Sequence, residues 1–214
     1  KCFRRSGESI YCLLTNPFLI SDSMKIRCSW PKNDNTYIQY HDREWGVPVY
    51  DDRELFEKLI LDGAQAGLSW ITILKRQANY KKAYDQFDPL KMANWTDQKI
   101  ETLLNDSGII RNRLKILAAR QNAKSYLKLI EEKGNFSDFL WSFVNYSQIT
   151  NYWESWDKTP AKTKDSEKMS KELKSRGFQF VGPTICYAFM QAVGMVNDHI
   201  VSCFRHEEIR GMTR

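Results

Sequence analysis

The sequence lacks the hallmarks of several protein classes. No apolar run approaches the roughly 18 residues that a membrane span requires, so no contact with a membrane is predicted. The five cysteines are an odd number and widely scattered, which argues against a secreted disulfide scaffold and favours a reducing compartment. Repeats, low-complexity tracts and alternating β patterns are missing as well. From these absences we expect a cytoplasmic protein without a disulfide framework.

Aromatic residues and positive charge are present in excess. Seven tryptophans contribute to an aromatic fraction of 13%, and 32 Lys plus Arg against 26 Asp plus Glu give a net charge of +6. Such rings serve as core mass, which is the default interpretation, or they stack on nucleic-acid bases. A positive surface attracts polyanions, although many other proteins carry a similar excess. Composition alone therefore leaves a nucleic-acid partner as one interpretation of two.

The apolar spacing beyond residue 24 predicts an all-α protein. Apolar residues from Leu55 to Ile60 recur at helical spacing after a capping aspartate, Asp51 or Asp52. Residues 1–23 differ in character and are interpreted as an upstream extension or a remnant of cloning outside the fold. The segment 146–164 is predicted to be a surface loop. A further helix is predicted from Thr96 to Leu104, and the apolar stripe of Ile110, Leu114, Leu117 and Ala118 predicts the next one. Three more helices are predicted over 138–144, over 166–175 and from Pro183 to Val193.

Two pairs of residues near the two ends of the chain form a candidate metal site. His199 and Cys203 are four residues apart, and Cys28 and His41 form the second pair. Two sulfurs and two imidazoles suit a tetrahedral structural zinc with no position left for water. The alternative is two buried thiols and two ordinary histidines, with His206 as a competing imidazole. Spacing alone does not decide between them.

A glycine turn between two predicted helices is a candidate phosphate site. The run from Leu104 to Arg113 contains Gly108, which would allow a positive φ and a close backbone approach to a ligand. Amides that open the following helix can bind a phosphate, and Arg111, Arg113 and Lys115 would add charge. The alternative is a plain helix–helix connection with a solvated basic start. Both interpretations stay open on the residues alone.

An aromatic and acidic cluster is a candidate base pocket. Asp62 precedes a stretch of small residues that ends at Trp70. The other four aromatic residues of the cluster lie between residues 30 and 45, before Asp62. Aromatic faces can sandwich a flat base while a carboxylate accepts its exocyclic amine. The alternative is an aromatic core with Asp62 solvated or capping a helix. The aromatic members of the cluster are Trp30, Tyr37, Tyr40, Trp45 and Trp70.

From Cys28 to Cys203 the chain resembles the DNA-3-methyladenine glycosylase I family, the constitutive bacterial type within the helix–hairpin–helix glycosylase superfamily. The resemblance covers about four-fifths of the chain and keeps the order of the motifs. The motifs that carry it include Arg27-Cys28-Ser29-Trp30, Glu44-Trp45-Gly46-Val47-Pro48, Gln65-Ala66-Gly67-Leu68-Ser69-Trp70, Gly108-Ile109-Ile110-Arg111 and Val196-Asn197-Asp198-His199.

The resemblance implies a helix–hairpin–helix glycosylase fold over residues 24–205, with 206–214 as a C-terminal tail. It implies one structural zinc that joins the N- and C-terminal parts, and a monomer that hydrolyses the N-glycosidic bond of 3-methyladenine in double-stranded DNA. Free 3-methyladenine would be the product, without strand cleavage. The implied zinc ligands are Cys28, His41, His199 and Cys203. The implied base-binding residues are Trp30, Tyr37, Tyr40, Asp62 and Trp70, with Asp62 also catalytic, and the implied DNA-binding residues are Gly67, Leu68, Gly108, Ile109, Arg111 and Arg113.

One residue departs from the family pattern. Family members carry a glutamate where this chain has Asp62, and aspartate is shorter by one methylene, about 1.5 Å of reach. A closer backbone, a bridging water or a reduced activity would each follow from this change. The rival functions are a zinc-stabilised sensor that binds alkylated DNA without cleaving it, a structural zinc domain that docks other proteins, and an enzyme acting on a small glycoside.

Overall fold

The computed structural model describes residues 25–212, and the expectation for residues 1–23 lies outside them. Helices dominate the described chain, as the apolar spacing predicts. The α-helices are α1 (Asn35–Arg43), α2 (Asp52–Gln65), α3 (Trp70–Leu74), α4 (Gln77–Ala83), α5 (Pro89–Ala93), α6 (Asp97–Asn105), α7 (Arg113–Lys133), α8 (Phe136–Trp141), α9 (Lys164–Ser175), α10 (Pro183–Ala192) and α11 (Phe204–Arg210).

The remaining regular structure of the described chain is short. Single 3₁₀ turns occur at Asp85–Phe87, Ser142–Val144 and Trp156–Lys158. Strand β1 (Ile149–Thr150) pairs in parallel with β2 (Val196–Asn197), with Ile149 opposite Val196. This pairing joins the predicted surface loop 146–164 to the segment that carries two of the predicted metal ligands.

Helix α2 lies at the centre of the fold and packs against α3, α7, α8 and α10. Its N-cap is Asp51, whose carboxylate accepts hydrogen bonds from the amides of the two residues after Asp52. The chain then buries Leu55, Phe56 and Leu59 completely, and full burial of each such side chain contributes about 1.5–3 kcal/mol. Because α2 has neighbours on several sides, its last two turns are also buried, which carries polar residue 62 into the interior.

Capping residues located several helices well, whereas the stripe predicted for α7 is partly wrong. Thr96 caps α6 by accepting a hydrogen bond from the Lys99 amide, and Gly182 precedes the proline that opens α10. In α7, however, Leu114 is 68% exposed while Ile116 is fully buried. The helix begins only at Arg113, so its core-facing side is set by Ile116 and the residues one and two turns later.

The folded chain continues past residue 205, the end assigned to the domain from the sequence. Helix α11 extends to Arg210, and its residues His206 and Ile209 are buried. The backbone carbonyl of His206 accepts a hydrogen bond from Asn197, and its ring lies 2.9 Å from the carbonyl of Asn151. His206 is therefore occupied away from the other two histidines. No helix within residues 25–212 combines the length and the apolarity needed to cross a membrane.

A close backbone crossing holds the two ends of the domain together. Gly194, just after α10, has a φ of +70°, and a Cβ at this position would lie 2.4 Å from the nitrogen of Pro48. Only glycine tolerates both the dihedral and the contact. Next to it, the Val49 amide donates to the carbonyl of Val193 over 3.0 Å. The crossing places the segment after α1 directly against the end of α10, and the candidate site lies between them.

Candidate functional site

A cavity of about 190 Å³ opens between α2, α10 and the aromatic N-terminal segment. This volume is several times the ~30 Å³ that one water molecule occupies in the liquid. All five residues that were predicted to bind a base line the cavity: Trp30, Tyr37, Tyr40, Asp62 and Trp70. The structure thus brings together residues from three helices and from the turn before α1 into one concave site.

Asp62 is the buried acid of this cavity. Its side chain is only 2% exposed, and its Oδ2 has no hydrogen-bond partner among the described residues. Burial raises the pKa of Asp62 to about 7, against the opposing charge of Lys58. A solvated or helix-capping aspartate, the alternative from the sequence, is therefore contradicted. An unpartnered buried carboxylate beside a cavity is arranged to accept hydrogen bonds from a ligand.

The walls of the cavity are aromatic and carry two unused hydrogen-bond donors. The rings of Tyr40 and Trp70 lie with centroids 5.5 Å apart, and Trp30 meets Tyr37 edge-on at 5.3 Å. The hydroxyl of Tyr37 accepts a hydrogen bond of 2.9 Å from the Ile71 amide, which fixes α1 against α3. The indole nitrogens of both tryptophans are buried without partners in the described chain. These walls offer flat faces to a planar ligand, and the two indole N–H groups beside them have hydrogen bonds still to make.

Six further residues line the cavity and were not among the predicted site residues. Trp45 belonged to the aromatic cluster, and Gln65 to the motif ending at Trp70, but neither was assigned to the base. Trp156 lies in the segment that was predicted to be only a surface loop. The last three of the six residues lie on α10, and a signal for them was available in the sequence. Their spacing of three and four residues places them on one face of the helix. The α10 residues are Ala188, Gln191 and Ala192.

The four predicted metal ligands form one buried cluster. Their ligand atoms lie within 4.8 Å of one another, with the Sγ of Cys203 3.5 Å from both a His41 and a His199 nitrogen, and the Sγ of Cys28 3.6 Å from the latter. Tetrahedral bonds of about 2.3 Å to sulfur and 2.0–2.1 Å to nitrogen place sulfur and nitrogen about 3.5–3.6 Å apart. The cluster therefore has the dimensions that a tetrahedral metal ion requires.

Hydrogen bonds orient both imidazoles toward the centre of this cluster. Nδ1 of His41 lies 2.7 Å from a carboxylate oxygen of Asp42, which in turn pairs with Arg27 at 2.7 Å. Nε2 of His199 lies 3.1 Å from the carbonyl of Trp45. Each histidine thereby donates through one nitrogen and keeps the other as a ligand, an arrangement typical of structural metal sites.

The glycine turn between α6 and α7 is built differently from the prediction. Gly108 has no positive φ, and an added Cβ would lie 3.0 Å from Oδ1 of Asp106 and 3.1 Å from Asn79. Glycine at this position avoids close contacts with those two side chains, and the backbone needs no left-handed dihedral here. Asn112 caps α7 by accepting a hydrogen bond from the Lys115 amide, so the first two amides of the helix keep no intrahelical acceptor.

The side chains of this hairpin divide between surface and interior. Arg111 is exposed and makes no ion pair with any residue between 25 and 212, whereas Arg113 forms an exposed ion pair with Glu101. Ile109 is only 3% exposed because it packs into the core. Of the predicted DNA-binding residues, Ile109 is therefore the one whose side chain is buried.

Lys115 ties the hairpin to the rim of the cavity and does not add free charge, contrary to the prediction. Its ammonium donates to the carbonyls of Ala64 at 2.8 Å and Ala66 at 2.6 Å, and burial lowers its pKa. The next residues, Gly67 and Leu68, are exposed, and Leu68 presents 39% of its surface. Lys115 thus holds the start of α7 against the end of α2, next to the exposed Gly67 and Leu68.

Comparison with known proteins identifies the family to which these features belong. The family model described as methyladenine glycosylase matches residues 30–206. The chain belongs to this family. DNA-3-methyladenine glycosylase 1 of Escherichia coli (strain K12) is 50% identical over 177 residues, which are 83% of this chain and 95% of the relative.

Solved structures of methyladenine glycosylases have the same fold. The crystal structure of a 3-methyladenine DNA glycosylase I superimposes with a TM-score of 0.82 at 50% identity, covering 84% of this chain and 98% of the other. A variant of such an enzyme in complex with 3-methyladenine superimposes with a TM-score of 0.81 at 36% identity, covering 83% and 96%. The all-α glycosylase fold and the family resemblance expected from the sequence are confirmed.

Proposed function

We propose that this chain is a DNA glycosylase that hydrolyses the N-glycosidic bond of 3-methyladenine in double-stranded DNA. The observation that carries the proposal is the buried, unpartnered carboxylate of Asp62 at an aromatic cavity. The relatives named above are 3-methyladenine DNA glycosylases, and one was solved with the free base bound. The same base is therefore the ligand to be placed between the aromatic walls.

The base enters the cavity only after it leaves the DNA stack, which costs less for a damaged base. Trp30, Tyr37, Tyr40 and Trp70 contact its faces and edges, and the two indole N–H groups are available to its ring nitrogens. Asp62 accepts from the exocyclic amine. N3-methylated adenine is cationic in DNA, and its attraction to the carboxylate favours the ionised form of Asp62.

Bond cleavage needs little from the protein because the methylated base is a good leaving group. The C1′–N9 bond breaks as water adds its oxygen to C1′, the base departs with the bonding electrons as neutral 3-methyladenine, and the proton of the water is released. Asp62 stabilises the positive charge that spreads onto the sugar. No lysine lines the cavity within residues 25–212, which supports hydrolysis without a Schiff base and hence without strand cleavage.

The DNA interface is proposed to combine the hairpin and the neighbouring exposed loop. Arg111, with the free amides of Arg113 and Leu114, contacts phosphate, and Gly108 allows the tight turn that presents them. Gly67 and Leu68 are exposed between Gln65 and Trp70, which line the cavity, and we propose that Leu68 fills the gap left by the base. A monomer working on DNA in the bacterial cytoplasm is the simplest form consistent with this interface.

The cluster of Cys28, His41, His199 and Cys203 is proposed to hold one structural zinc. The donor set, the sulfur–nitrogen distances and the oriented imidazoles favour zinc, and four protein ligands leave no position for a reacting water. None of the four side chains lines the cavity. When bound, the metal supplies no chemistry to the reaction and stabilises the domain by joining its two ends.

Base release from alkylated DNA tests the proposed activity directly. Purified protein is incubated with DNA treated with a methylating agent, and the liberated bases are identified by chromatography and mass spectrometry. We expect 3-methyladenine to appear far faster than in buffer, with the DNA strands intact at the resulting abasic sites. Tight binding to lesion-containing DNA without base release would instead establish the non-catalytic sensor, and binding indifferent to damage would contradict both.

Removing the charge of Arg111 tests the hairpin as the phosphate contact. We expect Arg111→Ala to weaken DNA binding uniformly across sequences and to reduce the slope of log K against log salt by about 1, since one phosphate contact is lost. Arg113→Ala should weaken DNA binding less than Arg111→Ala, because the Arg113 side chain already pairs with Glu101. Fluorescence anisotropy with a labelled duplex at several salt concentrations measures the effect.

The matched control is Lys133→Ala, which removes one charge at the far end of the same helix α7. This position lies about 30 Å away along the helix axis, given a rise of 1.5 Å per residue. We expect its salt slope to equal that of the wild type. An Arg111→Ala slope equal to the control would place the phosphate contact elsewhere.

A further inference from the structure

A fully buried carboxylate lies behind the cavity and is not used in the reaction proposed above. Asp198 is 0% exposed and accepts four hydrogen bonds of 2.6–2.7 Å. Oδ1 accepts from Asn151 and the Trp153 indole, both in the 146–164 segment, and Oδ2 accepts from Tyr187 and Gln191 on α10. One carboxylate therefore fixes both the segment that carries Trp156 and an amide on the cavity wall.

This network determines which end of the Gln191 amide faces the cavity. A carboxylate only accepts hydrogen bonds, so the amide nitrogen must point at Asp198, where it lies 2.7 Å from Oδ2. The amide oxygen Oε1 is left without a hydrogen-bond partner in the described chain, and it is not among the atoms that the protein encloses completely. Because Gln191 lines the cavity, flanked by Ala188 and Ala192, the free oxygen is available there.

Gln191 and Asp62 both line the cavity, and each has an acceptor oxygen without a hydrogen-bond partner among residues 25–212, Oε1 of Gln191 and Oδ2 of Asp62. An exocyclic amine carries two N–H groups and can satisfy both acceptors at once. A purine with an oxygen in place of this amine offers no donor there. Its oxygen lone pairs would face the two acceptor oxygens of the protein. A site built to hydrogen-bond an amine rejects such an analogue because buried polar groups are then left unpaired.

We propose that Gln191 is a specificity-determining residue of the base cavity, accepting one N–H of the exocyclic amine while Asp62 accepts the other. Asp198 acts as a positioning residue that holds the amide oxygen toward the ligand. This inference rests on the function proposed above and deepens it. It assigns the discrimination between 6-amino and 6-oxo purines to a pair of acceptors on α2 and α10.

Binding of two free bases tests the proposal. 3-Methyladenine and 3-methylhypoxanthine differ in the amine or oxygen at position 6 and in the ring proton that accompanies the oxygen. Their dissociation constants are measured by calorimetry or by quenching of tryptophan fluorescence. We expect the wild type to prefer 3-methyladenine by about 10-fold or more. In Gln191→Met, which keeps the side-chain length, this preference should fall by about 3- to 10-fold through weaker binding of the amine.

A second variant separates positioning from contact. In Asp198→Asn the new amide can donate to Oε1 of Gln191, which turns the Gln191 nitrogen toward the cavity and should shift the preference toward 3-methylhypoxanthine. This shift is a readout that loss of structure alone would not produce. The control is Gln98→Met, the same substitution at an exposed site on α6, which should retain the wild-type preference.

The outcomes distinguish this inference from the proposed function. If the wild type binds 3-methyladenine and Gln191→Met keeps its preference within two-fold, Gln191 does not read the amine and the inference is wrong. If the wild type releases no 3-methyladenine from methylated DNA, the proposed function fails regardless of Gln191. A lower preference in Gln191→Met with unchanged thermal stability supports the proposal even if Asp198→Asn does not fold.

Discussion

Replacing Asp62 with asparagine is expected to slow the release of 3-methyladenine by about 100-fold or more, the scale seen when a preorganised electrostatic contact in an active site is removed. The variant keeps the shape of the side chain but loses the charge that attracts the cationic base and the developing charge on the sugar. Affinity for undamaged DNA should stay close to that of the wild type, because the hairpin is untouched. Single-turnover release from methylated DNA measures the rate.

The matched control is Asp165→Asn on α9, an aspartate that pairs with Lys168 and does not line the cavity. Its release rate should equal that of the wild type. Asp62→Glu, which restores the longer carboxylate of the family relatives, should remain active. An Asp62→Asn variant as fast as the control would remove residue 62 from the reaction.

The pH dependence of the wild type should follow the same carboxylate. Since burial raises the pKa of Asp62 to about 7, the ionised fraction and the rate should both fall as the pH is lowered through 7. An ordinary aspartate would lose activity only about three pH units lower. In Asp62→Asn the residual rate should show no such step, which distinguishes this titration from a pH effect on the DNA.

Asp62→Asn should also make the protein more stable at pH 8. The pKa of Asp62 is higher in the folded than in the unfolded state, so its contribution to the free energy of unfolding is largest at acid pH. That contribution is lost as the pH rises from 3.8 through about 7. Above pH 7 the ionised carboxylate costs at most about 4 kcal/mol, which asparagine avoids. Thermal unfolding should show a higher melting temperature for Asp62→Asn than for the wild type at pH 8, and a smaller difference at pH 4.

Loss of the metal is expected to have the second largest effect, and it acts on stability. A ligand present at about 1,000 times its dissociation constant stabilises the folded state by about 4 kcal/mol, which for a chain of this size corresponds to a melting temperature about 10 °C higher. Cys203→Ala or chelation should remove this contribution. Elemental analysis should find one zinc per wild-type chain and none in the variant.

Cys186→Ala is the control for removing a buried thiol, because Cys186 is fully buried on α10 but lies outside the four-ligand cluster. It should keep its zinc and lose less stability. Below its unfolding temperature, Cys203→Ala should release base faster than Asp62→Asn does, since no metal ligand lines the cavity. A wild-type protein without metal, or one unaffected by chelation, would contradict the structural role.

The longer helices were accessible from the sequence because their ends are marked by side chains that bond the backbone locally. Thr96 and Gly182 precede helices that begin as predicted. The helices between Trp70 and Ala93 were not predicted, since elements of five to seven residues are too short to show a periodic pattern. Helix α3 packs against α2 and helix α5 packs against α7, and such contacts are not visible in a local stretch of sequence.

The candidate site was only partly accessible for a related reason. The aromatic walls were predicted from residues that lie close together in the N-terminal part of the sequence. The family resemblance favoured the metal interpretation of the two Cys–His pairs. Gln191 was missed because its amide is held by Asp198, and Trp156 was missed because its segment is held through Trp153, whose indole donates to Asp198 across 45 residues of chain. Lys115 looked like free charge because nothing in its neighbourhood reveals the carbonyls of α2, 49 and 51 residues away, that it binds.

The distance along the chain between the metal ligands has a consequence for biosynthesis. Cys28 and His199 are separated by 171 residues, so the first pair of ligands leaves the ribosome long before the second. A complete coordination sphere therefore exists only when translation has passed Cys203, and a truncated chain holds half a site. Capture of the proposed zinc would then be a late step of maturation, one that only chains reaching Cys203 can complete.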